Sequence, residues 1–330
     1  MQLEIKKINN LDENKWNRLL KDSPQSTIYH TKAWAEVWEK SFTGSDSFFI
    51  ISVDEKGDYL AGLPLWRRKK FGLSTLFSMP FGTYGGVITK KDVDKKIIFS
   101  LFEKLEGIVR KGNVIKTQLV DFFSTHNHLS TLGYSSQRFC THLLSLDQLD
   151  EDDYLKGFTQ KRREKIRQSQ RRGAKVQDIR SLEDVKECYK LLMETYHRHM
   201  VKPLKYPLRF FENIFSIMGK ENLLKWVIVM KNEKIIASLI NLAFKDTVYA
   251  WKGASASGEL ESRPNDAKYL NSILWAKKNG FKLFNFGTTP EGVEGMIKFK
   301  ESWGAKKKEY LIYEKKKRVG KLLERIRRTS

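Results

Sequence analysis

Residues 223–254, LLKWVIVMKNEKIIASLINLAFKDTVYAWKGA, decide the fold class. Three apolar runs of strand length, LLKWVIVM, IIASLINLAF and TVYAWKGA, are parted only by short polar breaks, Lys231-Asn232-Glu233 with Lys234 and Lys245-Asp246. Such short polar breaks leave room for a turn and none for a crossover helix, so the runs predict an antiparallel meander. After it, Pro264 opens a helical run through Asn279, Gly280 stops it, and FKLFNFG predicts another strand. Before it, SLEDVKECYKLLMETYHRHM begins with Ser181, Glu183 and Asp184, the residues of a helix start, and FFENIFSIM follows a Pro203/Pro207 break. Helix, antiparallel strands, helix, strand is an α+β order and not that of a doubly wound parallel sheet.

The first half carries a rougher version of the same order. LEIKKI predicts a strand, followed by a helix ending near Leu20, and Trp34, Val37 and Trp38 recur at helical spacing as a core stripe. SFFIISVDEKGDYLAGLPLWRRKK predicts two strands joined at Lys56-Gly57-Asp58. A helix is expected over about 92–111, then strands at VIKTQLVD and from Cys140 to Leu146. Between them, SMPFGTYGGVI (78–88) lacks the glycine pattern and lysine of a nucleotide phosphate loop. Gly82, Gly85 and Gly86 there suit tight turns or let a substrate approach backbone N–H groups. Matching residues between the halves are too few to read a sequence repeat.

The 330 residues suffice for two domains, and 40% hydrophobic content with 20 Phe, 12 Tyr and 8 Trp excludes a disordered or fibrous chain. Cys140 and Cys188 alone cannot form a disulfide framework or a thiolate-rich zinc site, which fits a reducing compartment. The start, MQLEIKKINNLDENKW, has no apolar core of signal-peptide length, and no later window approaches a membrane span. The chain is therefore read as cytosolic, with the inner face of the membrane within reach of its charge. That charge is a net +22, and it is concentrated. KRREKIRQSQRRGAK (161–175) holds eight basic residues and one acid; residues 306–330 hold eleven and three. Both segments favour phosphate-bearing partners, nucleotides, tRNA or anionic lipid, although basic helix faces and tails also serve solubility alone.

TIYHTKAWAEVW, SMPFGTYGG, the basic helix KRREKIRQSQRRGAK, ETYHRH and the series RPNDAKYLNSILWAKKNGFKLFNFGTTPEGVEGMIKFKESWGA follow one another in an order that resembles the FemAB/FemX family of peptidoglycan aminoacyltransferases. That family lies within the GNAT-like acyltransferase superfamily, and the late series is the most specific part of a resemblance covering nearly the whole chain. It implies two tandem GNAT-like domains with mixed, largely antiparallel sheets. The expected division is an acceptor-side domain at 1–150, a basic connecting helix at 151–180, a donor-side domain at 181–305 and a basic tail at 306–330. It implies a transferase that moves an amino acid from aminoacyl-tRNA to an amine of a nucleotide-linked or lipid-linked muropeptide, without cofactor or metal, and with peripheral contact to anionic membrane. An acyl-CoA-dependent N-acyltransferase is the alternative, and an RNA-binding protein without catalysis a third reading.

By the same resemblance Lys300 in KFKESWG lies near the reacting centre, and Arg198 in ETYHRH holds acceptor phosphate. Trp38 stands where the family commonly has a phosphate-binding lysine, four residues after Trp34, and no long helical arm interrupts the second half. Trp38, Tyr84, Asn265 and Asp266 are the further candidates for substrate contact, with helix capping the competing role for Asn265 and Asp266. Arg162, Arg163, Arg167, Arg171 and Arg172 are the candidates for nucleic-acid contact. Aminoacyl transfer needs a neutral amine, a stabilised oxyanion and a proton route to the leaving hydroxyl, but no covalent nucleophile. His126, His128, His197 and His199 lack a metal-ligand set and are read as packing or hydrogen-bonding groups; Cys140 and Cys188 are read as core.

Overall fold

A computed structural model of the chain describes residues 2–80, 83–150, 153–198, 206–290, 292–318 and 320. Gly82, His199, Pro203 and the end of the basic tail from residue 321 lie outside the described residues. The chain forms two compact units, one of Met1–Phe139 with Glu309–Ser330, the other of Cys140–Lys308.

In chain order the first unit begins with β1 (Gln2–Lys7), α1 (Glu13–Asp22), α2 (Lys32–Ser41), β2 (Ser45–Val53), β3 (Tyr59–Lys70), β4 (Leu73–Phe77) and the short β5 (Ile88–Thr89). Then come α3 (Lys95–Lys111), β6 (Val114–Asp121) and β7 (Ser135–Ser145), in which the chain passes to the second unit. That unit holds α4 (Gln160–Arg171), β8 (Lys175–Asp178), α5 (Leu182–Arg198), α6 (Leu208–Asn213) with a π-helical continuation at Ile214–Met218, β9 (Leu224–Lys231), β10 (Lys234–Phe244) and β11 (Thr247–Ser255). It ends with α7 (Pro264–Lys278), β12 (Leu283–Thr289), α8 (Glu294–Glu301) and the start of β13 (Lys306–Lys316), which returns the chain to the first unit.

The expected meander is present: β9, β10 and β11 pair antiparallel in succession. Strand order in the second unit is β7-β12-β11-β10-β9-β8, and in the first β1-β2-β3-β4-β6-β13, with β5 against β3. Each unit contains one parallel pair joined through a helix, β4 with β6 through α3 and β11 with β12 through α7. The repeat that the sequence did not disclose is therefore present in the architecture, a tandem GNAT-like α+β fold. The last strand of each sheet comes from the other half of the sequence. Cys140–Ser145 of β7 pairs β12, and Leu311–Lys316 of β13 pairs β6.

The division thus falls at 139/140 and 308/309 instead of at the expected 150 and 305, because the exchanged strands carry chain with them. Lys306–Lys316, expected as tail, is strand, and its Tyr313 is buried among Leu119, Leu129 and Tyr134. Lys315 of β13 donates to Glu106 of α3 (2.6 Å) and to the Leu132 carbonyl (2.7 Å). The expected 151–180 connector is α4 and β8, both inside the second unit.

Both faces of each sheet are covered, so central strands are apolar throughout instead of alternating. In the first unit Phe48 and Ile50 of β2 meet Leu101, Phe102 and Leu105 of α3. Phe49 faces the opposite way, edge-on to Trp16 of α1 at 4.9 Å. Trp34, Val37 and Trp38 are fully buried, as their helical spacing predicts for a core stripe. Trp38 stacks on Phe42 and tilts against Trp66, and Tyr84 stacks on Phe122 at 4.2 Å. Trp38 and Tyr84 are thus buried aromatics in the core of the first unit. His126 is buried and hydrogen-bonds the 78–88 loop, its Nε2 accepting from the Val87 amide at 3.2 Å.

A chain ended at Lys308 lacks the strand that closes the first sheet beside β6. The expected outcome is loss of hydrogen-exchange protection across Val114–Asp121 while β9 to β11 keep theirs; equal protection in both would refute the exchange.

Candidate functional site in the second unit

The parallel ladder of β11 and β12 is short, joining only Thr247 to Leu283, Val248 to Phe284 and Tyr249 to Asn285. Both strands run on, and both bulge at once. The β10–β11 register slips between Ile240 and Asn241, which leaves Trp251 as the extra residue, and the β12–β7 register slips between Asn285 and Thr288. A bulge bends its strand and re-aims the groups beside it, here just where the parallel pairing stops. The carboxyl ends of a parallel pair are where open sheets receive ligands.

Three cations grip the two strand ends. On β12, Lys300 of α8 donates to the Gly287 carbonyl (2.6 Å), the Thr289 hydroxyl (2.8 Å) and the Thr288 carbonyl (3.3 Å). On β11, Lys268 of α7 donates to the Ala254 carbonyl (2.7 Å). Arg198, at the end of α5, donates to the Ser255 carbonyl (3.0 Å) and the Ser257 hydroxyl (2.8 Å). Lys300 and Lys268 are 3% and 2% exposed, and burial pushes both ammonium groups down to about 7. Cys140 opposes the shift at Lys300 and Cys188 opposes it at Lys268. Burial in turn lifts the Cys188 thiol to about 12, which keeps it protonated and inert.

Behind Lys300 the contacts continue. The Thr289 hydroxyl accepts from Lys300 and lies 3.0 Å from His142 Nδ1. His142 Nε2 is a buried atom without a partner among the described residues. Burial, then Lys300, lowers the pKa of His142, so the ring is held neutral. The Thr141 hydroxyl has Asn285 Oδ1 (2.6 Å) and the Gly287 carbonyl (2.9 Å) as acceptors within reach of its one hydrogen, and Gly287 N–H donates to Asn285 Oδ1 (2.8 Å). These bonds fix the bulge that turns the Gly287 carbonyl toward Lys300.

The other candidates separate cleanly. Arg162 is 4% exposed; it ion-pairs with Asp266 and donates to the Ser302 hydroxyl through Nε (3.0 Å) and Nη2 (2.7 Å). Its guanidinium lies over the rings of Phe299 (4.6 Å) and Trp303 (4.7 Å). Neither Arg162 nor Asp266 is free for RNA or acceptor, and the reason is periodicity: Arg162, Ile166 and Ser169 share the inward face of α4. Asp266 is not a helix cap, since Arg263 occupies that position with a left-handed φ of 54° and no side-chain cap bond. Burial raises the Asp266 carboxyl and Arg162 draws it back, so the two remain an ion pair. Asn265, in the first turn of α7, is half-buried. Arg163, Arg167 and Arg171 follow at four-residue spacing on the outer face of α4, with Arg167, Arg171 and the following Arg172 exposed. Lys268, Thr289 and His142 escaped the sequence reading. A lysine between Ala267 and Leu270 on a helix face shared with Ser272 was the one signal available.

Comparison with known proteins fits this geometry. Residues 160–301 match the acetyltransferase (GNAT) domain family. The fold is similar to the crystal structure of FemX, with a TM-score of 0.73 at 14% identity, covering 94% of this chain and 97% of that one. It is similar also to a tandem GNAT protein from the clavulanic acid biosynthesis pathway (TM-score 0.60, 11% identity, 96% and 98% covered). For L-PGS from Bacillus licheniformis the TM-score is 0.58 at 14% identity, with 95% and 96% covered. No curated protein matches the sequence. The chain is a transferase with a FemX-like GNAT fold, and the matched residues 160–301 contain both the β11–β12 pair and Lys300.

Two outcomes are expected. Arg162→Ala leaves the Asp266 carboxylate buried and unpaired and should cost about 3–5 kcal/mol in denaturant unfolding, against roughly 0.5 kcal/mol or less for Arg167→Ala. Between about pH 7 and the unfolded lysine value near 10.5, folded Lys268 and Lys300 bind fewer protons than the unfolded chain, so stability rises with pH through that window. Each contributes at most about 1.4 kcal/mol per pH unit. Lys268→Met should flatten the rise, and an unchanged slope would count against its buried, depressed ammonium.

Proposed function

We propose that the chain moves an amino acid from aminoacyl-tRNA to an amine of a peptidoglycan-precursor peptide. The observation that carries this reading is the outer face of α4, where Arg163, Arg167 and Arg171 form a stripe of fixed charge whose backing is locked by Arg162. Arginine holds its charge at every working pH and matches phosphate oxygens in pairs, properties suited to a polynucleotide donor. Likeness of fold to FemX, and to the domain of a putative lysylphosphatidylglycerol synthetase from Agrobacterium fabrum (TM-score 0.60, 10% identity), supports an aminoacyl donor.

In the reaction, the neutral acceptor amine attacks the ester carbonyl carbon, a C–N bond forms, and the carbonyl oxygen takes the negative charge. Collapse breaks the C–O bond to the ribose, and the proton lost by the amine ends on the leaving hydroxyl. Lys300 supplies the positive charge for the oxyanion. Of its three hydrogen bonds, that to the Thr288 carbonyl is the longest at 3.3 Å and is the one exchanged for substrate, while Gly287 and Thr289 hold the amine in place. Arg198 steadies the end of β11 and, through its remaining donors, serves the acceptor's phosphate.

The deciding experiment offers mixed charged tRNAs with nucleotide-linked and lipid-linked muropeptides, beside parallel acyl-CoA reactions, and reads products by mass spectrometry. Added mass that requires charged tRNA supports the proposal; products formed only from acyl-CoA would replace it with an N-acyltransferase. Lys300→Ala should lower kcat about 10²–10³-fold with the fold retained. Because the ammonium is lost as pH rises through about 7, the wild-type rate should fall above that value, and Lys300→Arg should move the falling limb to higher pH. A limb that does not move would remove Lys300 from the chemistry.

A further inference from the structure

Charge alone suggested a membrane without naming an element that meets it. The first unit supplies one at the β3–β4 hairpin, within WRRKKFGL (66–73). Lys70 and Leu73 form the last pair, and the two residues between them, Phe71 and Gly72, both have left-handed φ values, 50° and 72°. Such a two-residue turn favours Asn, Asp or Gly at its first position, and a bulky aromatic is a disfavoured occupant. Phe71 is 89% exposed, whereas the next most exposed large apolar residue among the described residues, Ile5, is 46% exposed.

Basic groups surround the tip. Arg68, Lys69 and Lys70 are exposed, with Lys70 Nζ 5.1 Å from the centre of the Phe71 ring. Asn113 Nδ2 donates to the Gly72 carbonyl (3.3 Å), which brings the exposed Arg110 and Lys111 at the end of α3 beside the hairpin. Lys317 reaches the same helix end, donating to the Val109 carbonyl at 3.0 Å. Asp46, the nearby acid, is taken by Arg67 in an ion pair.

We propose that this end of the first unit docks on an anionic lipid bilayer, with Phe71 entering the boundary between headgroups and acyl chains and the surrounding lysines and arginines facing lipid phosphates. One aromatic at a projecting tip inside a basic ring is the form of an interfacial anchor, in which apolar burial and electrostatic attraction add. Single-stranded RNA is the weaker occupant, since base stacking there works along a groove that tracks the nucleic-acid backbone, and a projecting turn offers none. The inference is independent of the transfer chemistry.

The test is sedimentation of the full chain with phosphatidylcholine vesicles, with and without phosphatidylglycerol, and with single-stranded RNA in a separate arm. Phe71→Gly places at the strained position the residue that tolerates it, so its melting temperature should equal or exceed that of the wild type. Its binding to phosphatidylglycerol vesicles should nonetheless fall on the order of five- to tenfold. Lys69→Glu with Lys70→Glu should lower binding by at least about thirtyfold and remove the preference for phosphatidylglycerol. Vesicle binding by Phe71→Gly equal to wild type overturns the proposal, as does equal wild-type binding to neutral vesicles. Loss of RNA binding with vesicle binding unchanged would assign the tip to RNA instead.

Discussion

One guanidinium fixes the second unit's working parts. Arg162 of α4 meets Asp266 in the first turn of α7 and Ser302 just past α8, with aromatic rings of Phe299 and Trp303 beside it. These are the helix that leads from β11 into β12 and the helix that follows β12, so a single charge sets where both begin or end. Its enclosure makes the arrangement all or none. A desolvated guanidinium is tolerable only with its carboxylate and hydroxyl partners in place, and each partner is in turn tolerable only with the guanidinium. The left-handed Arg263, immediately before Pro264, is held where the chain would otherwise relax, because Asp266 three residues later is fixed.

That frame brings Lys300 and Lys268 into the interior, and the interior changes what they are. An amine on a solvated helix face is a permanent cation near neutral pH, whereas these two are depressed to about 7 by burial and change charge within the working range. The outer arginines of α4 do the opposite, keeping charge at any pH. Fixed charge on the outside suits attraction of a polyanion, and adjustable charge beside strand-end carbonyls suits a reaction in which an oxyanion appears and vanishes. Both kinds of charge come from one basic, amphipathic region and its packing partners, sorted by which face of a helix each residue occupies.

Much of this was legible in the sequence. The meander could be read because its turns are too short for any other connection, and α7 because proline and glycine mark its ends. The fate of Arg162 was encoded too. Ile166 is the lone apolar residue between Lys161 and Arg172, and positions four before and three after it share its face, so Arg162 and Ser169 go inward with it. Reading the run as charge alone hid this. Trp38 and Tyr84 show the converse: the helical stripe that marked Trp38 as core outweighed a position matched by resemblance. The exchange of β7 and β13 had no local signal, since a strand's pattern states which residues are apolar but not which neighbour it joins. His142 and Thr289 lie 147 positions apart, and nothing in either segment announces the other.

The duplication of architecture does not extend to the ends of the parallel pairs. Both contain a parallel pair with a helical connection, yet in the first unit the pair stays closed beyond its ladder. Ser78, following β4, donates its N–H to the Gln118 carbonyl and, through Oγ, accepts from the Val120 amide. Gly85 then packs onto that seam so tightly that a Cβ there would lie 2.0 Å from the Ser78 carbonyl oxygen, which only glycine avoids. Buried Tyr84 and His126 fill the remaining space. In the second unit both strands bulge at the corresponding place, and the strand-end carbonyls are met by lysine and arginine instead of by a loop. One architecture thus yields a seam held by backbone and loop in one unit and by cationic side chains in the other. The difference rests on a serine, a pair of close-packed glycines and two bulges, features too small to alter the overall order of strands but sufficient to decide which groups meet the strand-end carbonyls.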